Sequence, residues 1–200
     1  MPILKNREGK IVVKLWKDFT RDYNANSLSK EIHLSPRGTL KILKKLEHEG
    51  ILVGKKLGKA VFYKTNVKDN YVAKIIETLL MAEAREKSVR WLEEFKEIYK
   101  ETKIVVLFGS ATRNLKEAKD IDIIIVYEQK KNKKIQEYIA MKNKIMVKQI
   151  HDIPQTIQDL KENLKKRNPA IIDAIRTGYV LHGQDKLIEV LNHVASVETR

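Results

Sequence analysis

The chain has 200 residues, of which 42% are apolar and 33% charged, and it contains no cysteine. Disulfides, thiolate zinc sites and thiol nucleophiles are therefore excluded. No apolar run approaches the roughly 20 residues of a membrane helix, and the polar, basic first ten residues are unlike a signal peptide, so we expect a cytoplasmic protein with no membrane partner.

The net charge of +14 is unevenly distributed along the chain. Residues 1–66 hold 15 Lys and Arg against 6 Asp and Glu, whereas residues 67–200 hold 25 against 20. A basic segment in which acidic residues do not rise with basic ones indicates a polyanion-binding surface. The alternative is a chain that is rich in Lys throughout, as in thermophilic proteins.

The first 66 residues carry the pattern of three helices. Apolar residues over Ile11–Phe19 recur at helical spacing, and a short second helix runs through Leu28 and Ile32. A third helix begins at Ser35-Pro36, because serine caps free backbone N–H groups and proline suits the first turn. Gly50 ends this helix in a left-handed conformation.

A predicted β-hairpin follows the third helix. Residues 51–55 and 60–64 form two strand-like runs, and Gly58 between them can take the positive φ of a tight turn. The third helix would bury Leu40, Leu43 and Leu46. The order helix, helix, helix and hairpin resembles the winged helix of prokaryotic transcription regulators over about residues 9–66.

This resemblance implies double-stranded DNA as a partner. The third helix would present its basic side to a major groove, and lysines on the hairpin would reach phosphates beside it. Arg37 and Thr39, near the helix start, are the candidates for reading base edges. The predicted DNA-binding residues are Arg37, Thr39, Lys41, Lys44, Lys45, Lys55, Lys56 and Lys59. The alternatives are lysines that only solvate a surface helix, and a winged helix that binds protein.

A helical connector is predicted over residues 67–87. Asn66–Asn70 is a polar break, and apolar residues from Tyr71 to Tyr99 recur at helical spacing, with a polar stretch at 82–87 as a candidate interruption. Tyr71–Met81 is apolar enough to need a partner. Because a helix at this position often joins two subunits in winged-helix regulators, we expect a homodimer; the alternative is packing on its own domain.

Residues 88–200 begin with a phosphate-binding pattern. An apolar strand runs into Gly109-Ser110, and after nine intervening residues Asp120 and Asp122 open a second apolar strand. Residues two apart on a strand share a face, so the two carboxylates would converge beside the glycine turn. Such a pair suits Mg²⁺, or alternatively Mn²⁺, carrying substrate phosphates. Gly109 lets the backbone approach those phosphates, and Ser110 can donate to them.

This arrangement resembles the DNA polymerase beta-like nucleotidyltransferase superfamily, in its minimal prokaryotic form, over about residues 88–195. The resemblance implies a mixed sheet flanked by helices and transfer of a nucleoside monophosphate from a nucleoside triphosphate (NTP) to an acceptor hydroxyl, for example on a protein. Asp120 and Asp122 would be the catalytic metal ligands, and Gly109, Ser110 and Arg113 would bind the nucleotide. In a two-metal mechanism one ion activates the attacking oxygen and the other stabilises the pyrophosphate.

The chain departs from that superfamily at one position. Active members usually carry a third acid on the next central strand, but the strand predicted here, Lys144–Ile150, has none, and Lys148 would repel a cation. The candidate substitutes are Asp152 and Glu137, and the candidate acid–base groups are His151 and His182, although a lone histidine at a strand end is more often structural.

The sequence therefore predicts an α+β protein with a winged helix at 1–66, a connector at 67–87 and a nucleotidyltransferase-like domain at 88–200. Three functions remain open: a DNA-bound regulator that binds NTP with Mg²⁺ and transfers a nucleotide, a regulator whose inactive domain senses nucleotide or holds a dimer, and an RNA- or tRNA-modifying enzyme. The preference of winged helices for B-form DNA, and the lack of an aromatic stacking surface, disfavour the third.

Overall fold

A computed structural model describes residues 6–114 and 117–197 of the chain. The fold is α+β, as predicted, and divides into two compact units, residues 1–79 and 80–200. Among the described residues, no helix combines the length and the apolar character needed to cross a bilayer.

The first unit is a winged helix, which confirms the predicted fold. Its helices are α1 (Asn6–Lys17), α2 (Ala25–Glu31) and α3 (Pro36–His48). Its wing is an antiparallel hairpin of β1 (Leu52–Leu57) and β2 (Ala60–Thr65). The core of this unit includes Ile11, Val12, Trp16, Leu28, Leu43, Leu46 and Tyr63.

Local capping chemistry sets the limits of α3 and of the wing, as the sequence indicated. The Ser35 hydroxyl accepts a hydrogen bond from the Gly38 N–H at 3.1 Å, and Pro36 occupies the first turn. Gly50 has φ +72°, the left-handed conformation predicted for the end of the helix. Since Leu57 pairs with Ala60, the hairpin turn has only two residues, and Gly58 there has φ +60°.

Helix α4 (Asn70–Glu94) is helical through the polar stretch at 82–87, so the suggested interruption lies elsewhere, at Ser88, where φ is −141° and ψ is 29°. Val72 and Ile76 are buried, whereas Tyr71 and Met81 are exposed. The homodimer stays a prediction, and so does the division of the chain at residues 66 and 87.

The second unit contains a four-stranded mixed sheet flanked by helices, as predicted. The strands β3 (Ile104–Phe108), β4 (Asp120–Val126), β5 (Gln149–Gln155) and β6 (Tyr179–His182) lie in the order β5-β4-β3-β6. Strand β3 is antiparallel to β4 and β6, while β4 and β5 are parallel. The helices are α5 (Asn132–Ile145), α6 (Ile157–Lys165), α7 (Pro169–Thr177) and α8 (Gln184–Val197).

The strand predicted at Lys144–Ile150 is wrong in position. Helix α5 continues to Ile145, and β5 begins only at Gln149. Residues 145–147 are a short apolar run, as in a buried strand, but Ile145 and Val147 are exposed and fill no core. The strand is therefore shifted toward the C-terminus, so that β5, at one edge of the sheet, contains His151 and Asp152.

Candidate functional site

Asp120, Asp122 and His151 form one cluster at the edge of the mixed sheet. One potential ligand atom from each lies within 4.8 Å of the others. Asp120 and Asp122 share a face at the start of β4, and the parallel register places His151 of β5 directly beside Asp122. The convergence of the two carboxylates is what the sequence predicted, whereas the imidazole depends on strand pairing.

The electrostatics of the cluster are those of two carboxylates held close together. The His151 Nδ1 atom lies 3.2 Å from a carboxylate oxygen of Asp120. Burial raises the pKa of Asp122, the negative charge of Asp120 raises it further, and His151 opposes this shift. A bound cation would relieve the repulsion between the carboxylates, and the donor set of two carboxylates and an imidazole fits a divalent ion.

Gly109 allows the turn after β3 to pass against Asp122. Its φ is +76°, and a Cβ at this position would overlap the Asp122 carboxylate. The residues Ser110–Thr112 then form a 3-10 turn in which the Thr112 hydroxyl donates to the Gly109 carbonyl at 2.8 Å. Only glycine satisfies both the backbone conformation and the close approach.

We expect Gly109→Ala to weaken divalent-ion binding because the new methyl group displaces the Asp122 carboxylate. The backbone of Gly109, with φ +76° and ψ −154°, lies in a region that essentially only glycine occupies, which adds a cost of about 1–3 kcal/mol. The control is Gly58→Ala, because Gly58 has φ +60° and no atom near its missing Cβ. Thermal unfolding and calorimetric titration with Mn²⁺ should show a stability loss in both variants and weakened ion binding only in Gly109→Ala. Unchanged ion affinity in Gly109→Ala would contradict this account.

The other predicted nucleotide-binding residues lie on the same turn. Ser110 is half-buried at its start. Arg113 follows the turn, where its backbone N–H donates to the Ser110 carbonyl at 3.1 Å and its side chain is exposed. This brings Gly109, Ser110 and Arg113 onto one short segment next to the carboxylates. Their contact with a nucleotide stays a prediction.

Neither substitute suggested for the third acid joins the cluster. Asp152 follows His151 on β5 and therefore faces the other side of the sheet, where it accepts a hydrogen bond from the Gln136 amide at 3.0 Å. Glu137 is exposed on α5, 4.0 Å from the Lys133 ammonium. Lys148 precedes β5, and its ammonium contacts the Ala118 carbonyl.

His182, the second histidine considered from sequence, lies apart from the cluster. It is half-buried on β6, and its ring stacks on Tyr99 with centroids 4.8 Å apart and planes 9° apart. Burial lowers the pKa of His182, against smaller opposing effects of the Thr102 backbone and of Asp185. This packing assigns His182 a structural role.

The lowered pKa of His182 predicts a pH-dependent contribution to stability. Between the folded pKa and the ordinary value of 6.5, the unfolded state binds more protons than the folded state, so stability falls as the pH falls through this window. His182→Gln should remove that part of the slope, whereas His48→Gln, at an exposed position, should not. Urea unfolding from about pH 5 to pH 8 measures the difference. Parallel wild-type and His182→Gln profiles would contradict this prediction.

A basic stripe runs along one face of α3 in the first unit. Its members are Arg37, Lys41, Lys44 and His48, spaced by four, three and four residues, and all four are exposed. This spacing places them on one side of the helix. The opposite side carries Leu43 and Leu46, which are fully buried. The basic stripe is thus the outward surface of α3.

Two sequence-based assignments on α3 need correction, and a third, Lys45, stays a prediction. Thr39 is completely buried, so its side chain does not reach a partner, and it is removed from the base-reading candidates. Leu40, predicted to be buried, is 38% exposed beside the basic stripe. Lys45 lies around the helix from the stripe, and its ammonium pairs with Glu8 at 2.7 Å and with Glu49 at 3.6 Å. Its charge is thus partly neutralised within the unit.

The wing carries the remaining predicted DNA contacts. Lys55 and Lys56 are exposed on β1, and Lys59 is exposed in the two-residue turn. Because neighbouring strand residues point to opposite faces, Lys55 and Lys56 face opposite sides of the wing. The wing therefore offers Lys59 and one of these two lysines to any single surface.

The fold and the cluster together define the class of the second unit. A mixed sheet with a glycine turn opposite paired aspartates is the arrangement that the sequence pattern implied for a nucleotidyltransferase. In agreement, residues 89–182 match the family model described as "Nucleotidyltransferase domain". The chain thus carries a winged helix followed in sequence by a nucleotidyltransferase domain, which confirms the resemblance noted in the sequence.

Similarity to whole proteins is weaker. A zinc-responsive MarR family member, ZitR of Lactococcus lactis, is 12% identical with a TM-score of 0.34, covering 70% of this chain and 75% of that one. A cysteine-to-serine mutant of ZitR is 11% identical with a TM-score of 0.36, covering 72% and 76%. Similarity at this level carries no argument about fold or function. No curated protein matches the chain.

Proposed function

We propose that this protein is a DNA-binding regulator whose second unit binds an NTP with a divalent ion and transfers its nucleoside monophosphate to an acceptor hydroxyl. The observation that carries the proposal is the convergence of Asp120 and Asp122 beside the Gly109 turn. The two carboxylates can hold the ion, and the backbone of the Gly109 turn lies close enough to them to contact the triphosphate that the ion binds.

The roles of the residues follow from their positions. Asp120 and Asp122 would hold the divalent ion, which the sequence pattern predicts to be Mg²⁺ or Mn²⁺ and which would supply charge stabilisation at the transferred phosphate. Gly109 keeps the turn close to the phosphates. The Ser110 hydroxyl and N–H donate to phosphate oxygens, and Arg113 adds positive charge at the edge of the site.

Double-stranded DNA is the proposed partner of the first unit. The basic stripe on α3 supplies several exposed positive charges on one helix face, as a major groove lined with phosphates requires. Arg37 is the candidate for reading a base, because its guanidinium can donate two hydrogen bonds to guanine. Lys59 and one face of the wing add phosphate contacts. A homodimer joined through α4, with two half-sites on the DNA, is part of this proposal.

The test of the enzymatic part is label transfer. The full chain is incubated with each NTP labelled at the α-phosphate, a divalent ion, and candidate protein or RNA acceptors. Label on an acceptor supports transfer. Bound nucleotide without transfer identifies the alternative, a sensor or dimer scaffold whose domain has lost catalysis. Labelled RNA alone would identify an RNA-modifying enzyme, and absence of both binding and transfer would contradict the proposal.

A further inference from the structure

The third member of the carboxylate cluster, His151, offers a nitrogen atom as a potential ligand. His151 stands on the strand next to the two aspartates, and its Nδ1 atom lies 3.2 Å from Asp120. Its side chain is 63% exposed, so the ring is accessible from solvent. The geometry therefore presents two oxygens and one imidazole nitrogen to a single point.

No third carboxylate competes for this position within residues 6–114 and 117–197. Asp120, Asp122 and His151 are the one group of three ligand residues close enough together to hold an ion in that part of the chain. Asp152 faces away from the cluster, because strand neighbours alternate between faces. The donor set is thus fixed as mixed oxygen and nitrogen.

Mixed donors discriminate between ions. Mg²⁺ demands near-ideal octahedral oxygen coordination and gains little from imidazole. Divalent transition metals toward the end of the first row bind imidazole well, and their affinity for nitrogen-containing sites rises from Mn²⁺ through Co²⁺ to Cu²⁺, with Zn²⁺ also strongly bound. Replacing the usual third oxygen ligand by His151 therefore shifts the preference of the site.

We propose that the Asp120–Asp122–His151 site selects a divalent transition-metal ion over Mg²⁺, and that His151 is the ligand that sets this preference. The inference rests on the proposed function, in which the two aspartates hold the ion. It moves the expected preference of the site from Mg²⁺ toward ions that take imidazole nitrogen.

The experiment measures ion binding without using activity. The full chain, stripped of ions with EDTA and dialysed, is titrated with Co²⁺, followed by visible absorption, and with Mg²⁺, followed by calorimetry. Both titrations are run with and without a non-hydrolysable NTP analogue. We expect Co²⁺ to bind more tightly than Mg²⁺. The absorption spectrum of bound Co²⁺ should indicate a nitrogen ligand. Removing the imidazole ligand should lower Co²⁺ affinity at least about tenfold, because loss of an outer-shell partner already lowers metal affinity by that factor.

The decisive variant is His151→Asp, with His48→Asp as the control at an exposed histidine of the first unit. His151→Asp exchanges the imidazole for a carboxylate, so it should lower the ratio of Co²⁺ affinity to Mg²⁺ affinity at least about tenfold. Equal wild-type affinities for the two ions, or an affinity ratio unchanged by His151→Asp, would overturn the inference. Loss of label transfer in His151→Asp with an unchanged affinity ratio would also overturn it, because it would indicate that His151 transfers a proton.

Asp122→Asn separates failure of this inference from failure of the proposed function. If Asp122→Asn abolishes ion binding and His151→Asp does not affect it, only the assignment of His151 is wrong. If neither variant changes ion binding, or if no ion binds with or without the nucleotide analogue, the proposed ion site itself is wrong. Circular dichroism of each variant verifies that its fold is intact.

Discussion

Asp122→Asn should lower transfer of the labelled α-phosphate by at least about tenfold, because loss of a direct ion ligand costs no less than loss of an outer-shell partner. The matched control is Asp152→Asn, which removes a carboxylate charge from β5 on the opposite face of the sheet. Asp152 contacts Gln136 rather than the cluster, so this variant should transfer label at nearly the wild-type rate. Equal activities of the two variants would indicate that the active site lies elsewhere.

Stability provides an internal test of the same variant. Burial and the charge of Asp120 raise the pKa of Asp122, so the ionised carboxylate is disfavoured in the folded, ion-free protein. A neutral asparagine removes this repulsion. At neutral pH the ion-free Asp122→Asn variant should therefore unfold at a temperature no lower than the wild type, and its lost activity then reflects chemistry. A large drop in unfolding temperature would instead indicate a damaged fold.

Removing the charges of Arg37, Lys41 and Lys44 together should weaken binding to duplex DNA and flatten its salt dependence. Each phosphate contact contributes about 0.9 to the slope of log K against log salt concentration, so three lost contacts should reduce the slope by about 2–3. The change is Arg37→Gln, Lys41→Gln and Lys44→Gln, and fluorescence anisotropy at several salt concentrations measures the slope.

The control for this triple variant removes the same net charge from the second unit. It replaces three exposed lysines by glutamine, Lys133, Lys165 and Lys166. This control should bind DNA with the wild-type slope, apart from a small uniform loss of long-range attraction. If both triple variants change the slope equally, DNA binding is non-specific attraction to a basic protein, and α3 is not the interface. A wild type without salt dependence would exclude phosphate contacts altogether.

Segments governed by local chemistry were predicted well. The start of α3 depends on Ser35 and Pro36, and its end depends on Gly50, all within a few residues of the backbone groups that they cap or turn. Asp120 and Asp122 share a face because strand alternation is a local rule. These features need no knowledge of which other segments pack nearby.

The errors lie where a distant segment decides. Thr39 and Leu40 are neighbours on α3, but packing against the rest of the unit buries the first and leaves the second exposed. The apolar run at 145–147 indicated a strand, yet Ile145 and Val147 are exposed. In each case sequence spacing is compatible with two environments, and burial selects between them.

The sequence by itself determined the three helices and hairpin of the first unit, the glycine turn and the pair of aspartates, because these depend on hydrogen bonds and side-chain directions within a few residues. Only the tertiary structure decided the third member of the cluster. His151 reaches Asp120 through the parallel pairing of β4 with β5, between residues 31 positions apart in the chain. Strand register is a long-range property, because it depends on which side chains of two distant strands are buried on the same face. The residues next to His151 in the chain therefore do not predict it.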